Sequence, residues 1–200
     1  MKYLAWLKND HVVIISGGMD NNLMISRRKF LQAATGTAAI LAAPVALAKP
    51  AQPGERVLRL QNLHTGESLK ATYWAEGQYI AEEIAALNRV LRDHRSNEAY
   101  NMDQRLFDIL HALQQQVGSN GTYHVISGYR SPKTNAMLNR NSSGVAKRSL
   151  HMQGRAIDIR LPGVELKHLR QAALDLKAGG VGYYQKSGFL QVDTGRTRFW

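Results

Sequence analysis

Apolar and polar positions follow two periods along this chain. From Arg56 to Leu60 they alternate, as in a strand with one buried face. His64-Thr65-Gly66-Glu67 reads as a turn and Ser68 to Trp74 as a second strand, together a β-hairpin. The period then lengthens. Ile80, Ile84, Leu87 and Leu91 recur at helical spacing within Tyr79 to Arg92. Leu106, Ile109, Leu110, Leu113 and Val117 form the stripe of a second helix, with Asp103 as its cap and Gly118 as its stop. Tyr123 to Ser127 is a short β-branched strand. Ser131-Pro132 opens a helix running to about Arg140, with proline at the first position. Asn141 to Ser149 has no period and reads as a polar loop. Ala156 to Leu161 is a strand stopped by Pro162-Gly163, and Glu165 to Lys177 is a helix closed by Ala178-Gly179-Gly180. Val181 to Tyr184, Phe189 to Asp193 and Arg196 to Phe199 are short strands. The expected architecture is a single α+β domain, a mostly antiparallel sheet with helices packed on one side.

The first 48 residues break from this pattern. Ser26-Arg27-Arg28-Lys29-Phe30-Leu31 has the form of a twin-arginine export signal, followed by a mild apolar stretch from Ala33 to Leu47 and a small-x-small site at Ala46-Leu47-Ala48. The expected division is an over-called extension at 1–23 ahead of a start at Met24, a signal peptide at 24–48, and a mature domain at 49–200. The partner implied is the twin-arginine export machinery, and the destination is the periplasm. No apolar run reaches the roughly 18 residues of a membrane span. The chain has 200 residues and no cysteine, which excludes disulfides and thiolate metal sites. The net charge is +11. From Lys49 onward 21 basic residues face 13 acidic ones, so the mature part is itself basic and suits an anionic partner. No basic run is interleaved with aromatics, which makes nucleic acid the weakest such partner.

Chemistry concentrates in Ser149-Leu150-His151-Met152-Gln153-Gly154-Arg155-Ala156-Ile157-Asp158. A histidine seven residues before an aspartate, with a glycine turn between, lets a loop and the next strand aim a nitrogen and a charged oxygen at one ion, a pair that zinc accepts. Around it stand Ser127-Gly128-Tyr129-Arg130-Ser131, Leu63 to Glu67 (L-H-T-G-E), Leu91 to Arg95 (L-R-D-H-R), Gly179 to Tyr184 (G-G-V-G-Y-Y) and Asp193 to Trp200 (D-T-G-x-x-R-x-W). In these motifs and their order the mature chain resembles the zinc D-alanyl-D-alanine metallopeptidases of bacterial walls, in particular their branch of exported murein endopeptidases. The family carries S-x-H-x-x-G-x-A-x-D, and Ser149, His151, Gly154, Ala156 and Asp158 match every fixed position.

The resemblance implies a DD-peptidase-like fold and a Zn2+ cofactor held by His151 and Asp158. It implies that Arg130 faces the scissile bond, stabilising the oxyanion or a substrate carboxylate. Asp193 is expected near the metal, as general base or as support for a ligand. Ser127, Tyr129 and Ser149 are expected to bind substrate, the peptide stems of peptidoglycan. One position departs from the pattern. The branch carries F-V-H-[VI]-D-T-G, whose histidine is the third zinc ligand, and this chain has Phe189-Leu190-Gln191-Val192-Asp193. Gln191 keeps the face of the strand but offers a neutral amide oxygen, a poorer zinc donor than imidazole. His124, on the strand leading to Arg130, could approach the site, while His64 and His94 belong to branch motifs far from the ligands in sequence, and His111 and His168 sit on helices and read as surface or packing. Two functions follow: a zinc metallopeptidase cutting peptide cross-links, or a catalytically impaired homologue that binds murein.

Overall fold

The computed structural model describes residues 54–142 and 144–200, together with two short backbone segments near the start. The chain divides into two units, 1–49 and 50–200. In the first, β1 (Leu4–Lys8) and β2 (His11–Ile15) pair antiparallel. The twin-arginine segment and its small-x-small site lie outside the described residues.

In the second unit the strands are β3 (Arg56–Asn62), β4 (Ser68–Ala75), β5 (Gln78–Tyr79), β6 (Tyr123–Ser127), β7 (Ala156–Arg160), β8 (Gly180–Tyr184), β9 (Phe189–Asp193) and β10 (Arg198–Phe199). The helices are α1 (Ala81–Val90), α2 (Gln104–Gln116), α3 (Pro132–Asn141) and α4 (Leu166–Leu176). One sheet holds the eight strands in the order β10-β8-β9-β7-β6-β3-β4-β5. Among the described residues only the β3–β6 and β8–β10 pairings are parallel. The expected α+β class and mostly antiparallel sheet are both present.

Alternation along the strands splits the sheet into two chemically different faces. Leu58, Leu60, Val125, Ile157, Ile159, Leu190, Val192 and Val181 point to one side and share a core with Leu106, Leu110 and Leu113 of α2 and Leu169 of α4. The residues between them, Asp158 and Gln191 among these, point to the other side, where directly opposed partners lie on one face: Ser127, Asp158, Gln191 and Gly182 form a row across β6, β7, β9 and β8. The chemistry therefore sits on the face away from α2 and α4.

Two local features differ from the sequence reading. Helix α1 starts at Ala81 because Glu76 and Gly77, both with positive φ, turn the chain back and pair Tyr79 with Trp74. The aromatic pair adds an edge-to-face contact at 4.7 Å that the helical periodicity of the segment does not report. The expected polar loop also ends in a 3-10 turn, Leu150–Gln153, which carries His151.

Candidate active site

The arginine turn after β6 is held from below by the two N-terminal motifs. The Asn62 side chain accepts from the backbone N–H groups of His64 and Thr65 and donates to Val90 O, tying the β3–β4 turn to α1. Glu67 pairs with Arg92 at 2.6 Å, and the His64 and His94 rings stack at 3.9 Å. Asp93, 2% exposed, accepts from the N–H of Arg95 and, at 2.9 Å, from the N–H of Ser131. Burial alone would raise the Asp93 carboxyl, but hydrogen bonds from Thr134, Ser131 and Arg95 overrule it and hold the group well below the usual carboxylate range. The motif around Asp93 thus clamps the start of α3 and fixes the backbone that carries Arg130.

His151 and Asp158 meet on this platform. The Ser149 hydroxyl accepts from His151 N–H and caps the 3-10 turn, which Gly154 ends in the left-handed conformation at φ 64°. The Arg130 N–H donates to His151 O at 3.2 Å, so the turn and the arginine are registered against each other. The His151 Nδ1 faces Gly128 O at 2.8 Å. A carbonyl can only accept, so Nδ1 carries a proton, and in the neutral ring the lone pair lies on Nε2. That Nε2 stands 3.3 Å from Asp158 Oδ1, and both atoms are buried without a hydrogen-bond partner among the described residues. Two buried acceptors facing each other are costly unless a proton or a metal cation lies between them. Their separation matches the edge of a tetrahedron built on metal–ligand bonds of about 2.0–2.1 Å. The pair fits a zinc ion on this ground.

The remaining donor is the difficulty. Among the described residues no three His, Cys, Asp or Glu side chains gather to hold a metal. Gln191, directly opposite Asp158 on β9, is the neighbour that completes the row. Its Nε2 lies 3.4 Å from Asp193 Oδ2, and since a carboxylate only accepts, the amide nitrogen takes that side. The carbonyl oxygen Oε1 is then the end without a partner among the described residues. Asp193 is fully buried and already engaged: Oδ1 accepts from Gly180 N–H, Gly195 N–H and Arg198, and Oδ2 accepts from Arg198 at 2.8 Å besides Gln191.

Arg130 approaches from β6. Its guanidinium lies 3.7 Å from Asp158 Oδ2 and donates to Ser127 Oγ at 3.2 Å. Burial pulls it below the ordinary arginine value, against the pull of Asp158. These groups open into a cleft of about 520 Å³ whose walls include Arg130, His151, Asp158, Gln191, Arg148 and Trp200. The Trp200 indole donates to Tyr184 Oη and lies under the Arg198 guanidinium. A Cβ on Gly182 would come within 2.7 Å of that indole, so the glycine in the Gly179–Tyr184 block makes room for the wall.

Of the eight residues singled out from the sequence, the structure brings His151, Asp158, Gln191, Arg130 and Ser149 to the cleft. Asp193 lies behind it, against Gln191. Ser127 touches it only through Arg130. Tyr129 is elsewhere: it is 7% exposed and stacks on Tyr100 at 4.7 Å, outside the cleft lining. His124 also stands outside the cleft, opposite Arg160. The sequence reading assigned no role to Arg198 or Trp200. Their signal was present in the terminal R-x-W spacing, whose meaning depends on β10 folding back beside β8.

A family profile described as peptidoglycan L,D-endopeptidase MepK matches residues 50–200. The peptidoglycan L,D-endopeptidase MepK of Escherichia coli (strain K12) is 48% identical over 163 residues, covering 82% of this chain and 89% of that protein. The "Probable peptidoglycan L,D-endopeptidase MepK" of Haemophilus influenzae is 41% identical over 155 residues, covering 77% and 83%. No solved structure matches the chain. With the profile spanning the whole catalytic-type unit and the motif residues converging on one cleft, the chain belongs to the MepK family of peptidoglycan endopeptidases.

Proposed function

We propose that this protein is an exported, zinc-dependent murein endopeptidase that hydrolyses L,D cross-links between peptidoglycan stems, with His151 Nε2, Asp158 Oδ1 and Gln191 Oε1 as its metal donors. One observation carries the reading: two buried, partnerless acceptors aimed at each other across 3.3 Å. Zinc held there would supply Lewis acidity for the scissile carbonyl and a nucleophile from water at neutral pH. The chain's own residues do the rest. Gly128 O fixes the His151 tautomer. Arg130, held by Ser127 and half-neutralised by Asp158, presents N–H donors where negative charge develops on the carbonyl oxygen. Asp193, with five donors on its two oxygens, orients the Gln191 amide rather than taking the proton. Basic side chains on the cleft wall suit stem-peptide carboxylates. The Arg27-Arg28 segment supports export to the periplasm through the twin-arginine machinery.

A glutamine donor weakens the site, and the impaired, murein-binding reading rests on that. Elemental analysis of the purified protein beside its Gln191→His variant tests both, together with muropeptide release from sacculi. The expected result is about one zinc per chain in each, with tighter retention in the variant, and turnover by both. Zinc and turnover in the variant alone would overturn the enzyme reading for the native chain.

A further inference from the structure

The face of the sheet that carries the cleft continues past it, and its character changes. The outward positions of β3, β4 and β6 hold Arg59 and Gln61, Ser68 and Lys70, and His124, with no acid among them. The register sets two of these basic side chains face to face and places His124 beside a third cation. Arg59 lies directly opposite Lys70, and His124 directly opposite Arg160. The Arg59–Lys70 pair sets like charges directly opposite each other, which is unfavourable, and nothing in folding requires it here, since both point away from the core. Lys70, His124 and Arg160 have no hydrogen-bond or ion-pair partner among the described residues, and Arg59 donates only to Asn120 O. A shallow depression of about 430 Å³ is lined by Arg59, Lys70 and His124 among others. Arg160 is two residues beyond Asp158 on the same strand and the same face, which sets the strip beside the cleft.

We infer that this open sheet face is an anion-binding strip that holds the peptidoglycan polymer beside the cleft, contacting carboxylates of stem peptides other than the one being cut. The inference rests on the endopeptidase reading for the identity of its occupant. Its physical basis is charge complementarity: unpaired cations at strand spacing, stored at a cost that a polycarboxylate relieves. Arg59, Lys70 and Arg160 lie outside the cleft lining, and a continuous wall polymer presents carboxylates at intervals beyond the stem in the cleft. The strip therefore acts on binding of the polymer and leaves the chemical step alone.

The test is a triple variant, Arg59→Gln with Lys70→Gln and Arg160→Gln, compared with the native protein in three assays. Turnover of a soluble cross-linked muropeptide dimer is expected to be unchanged. Co-sedimentation with purified sacculi is expected to weaken about tenfold, with a flatter dependence on salt. The melting temperature is expected to stay level or rise, because the opposed cations are gone, and this also reports correct folding. Sacculus binding equal to native would overturn the strip. So would native protein that prefers phosphatidylglycerol vesicles to sacculi, which would make the occupant a lipid surface. If neither protein cuts the soluble dimer, the endopeptidase reading fails, and the sacculus comparison still decides the strip.

Discussion

At the scale of single residues, the site is organised around a carboxylate that does not reach the cleft. Asp193 is fully buried, and the Arg198 guanidinium forks onto both of its oxygens at 3.0 and 2.8 Å. A bidentate pair of this kind fixes geometry as well as charge. Removing the arginine leaves a buried anion with only two backbone N–H groups and one amide. Arg198→Met is therefore expected to lower unfolding free energy by about 2–3 kcal/mol, read as a lower urea midpoint at unchanged slope. The double variant with Asp193→Asn should recover much of that loss, giving a coupling above about 1 kcal/mol. Strict additivity would show that the fork is decorative. The same argument explains why Gln191 could be read from sequence as pointing with Asp193, since they are two apart on a strand, while its amide orientation could not. That orientation depends on Asp193 being saturated by donors from β8, the following turn and β10, which no local spacing encodes.

At the scale of elements, the site depends on caps and turns that connect distant segments. Asp103 caps α2 through Arg105 N–H and also accepts from Thr194 Oγ at 2.7 Å, joining that helix to the turn after β9. Hydrogen bonds from Arg105 and Thr194 bring its carboxyl down to about 2, against a smaller raising effect of burial. A depressed folded value means stability that is complete above the ordinary carboxylate range and lost as pH falls from about 4 towards 2. Asp103→Asn should thus cost about 1–2 kcal/mol at pH 7 and the same at pH 5, and about half of that at pH 3. Urea titrations at the three pH values check this, and a penalty independent of pH would assign the role of Asp103 to capping geometry alone. The elements themselves were largely legible. The α2 stripe and its Asp103 cap, the Pro132 start of α3 and the β3–β4 hairpin all stand where periodicity and cap chemistry put them. What escaped was short and tertiary: β5, formed because the Glu76-Gly77 turn returns Tyr79 to Trp74, and the 3-10 turn of His151, four residues with no period to detect.

At the scale of the whole molecule, the candidate site is an assembly of four separate stretches: the turn after β6, the 3-10 turn, β7 and β9. The sequence named His151, Asp158 and Arg130 because each sits in a spaced motif. It misplaced Tyr129, whose neighbour Tyr100 lies in a segment without period, and it could not see that Arg198 and Trp200 return to the cleft. That long-range assembly gives a measurable link between metal and stability. His151 Nε2 and Asp158 Oδ1 are buried and lack a hydrogen-bond partner among the described residues, an arrangement that a cation bound between them would satisfy in the folded state only. Ligand that binds the folded state at a hundredfold excess over its Kd stabilises by about 2.7 kcal/mol, which for a domain of this size raises Tm by about 5–10 °C. Zinc added to chelator-treated protein should produce a rise of that order, and chelator should reverse it. Gln191→His should start from a similar metal-free Tm and rise further, because imidazole is the stronger donor in the same row. His151→Ala should abolish the response in both backgrounds. A native chain that shows no rise while Gln191→His shows one would mean that the glutamine leaves the pair empty, and the buried acceptors would then stand as a cost retained from an active ancestor rather than as part of a working centre.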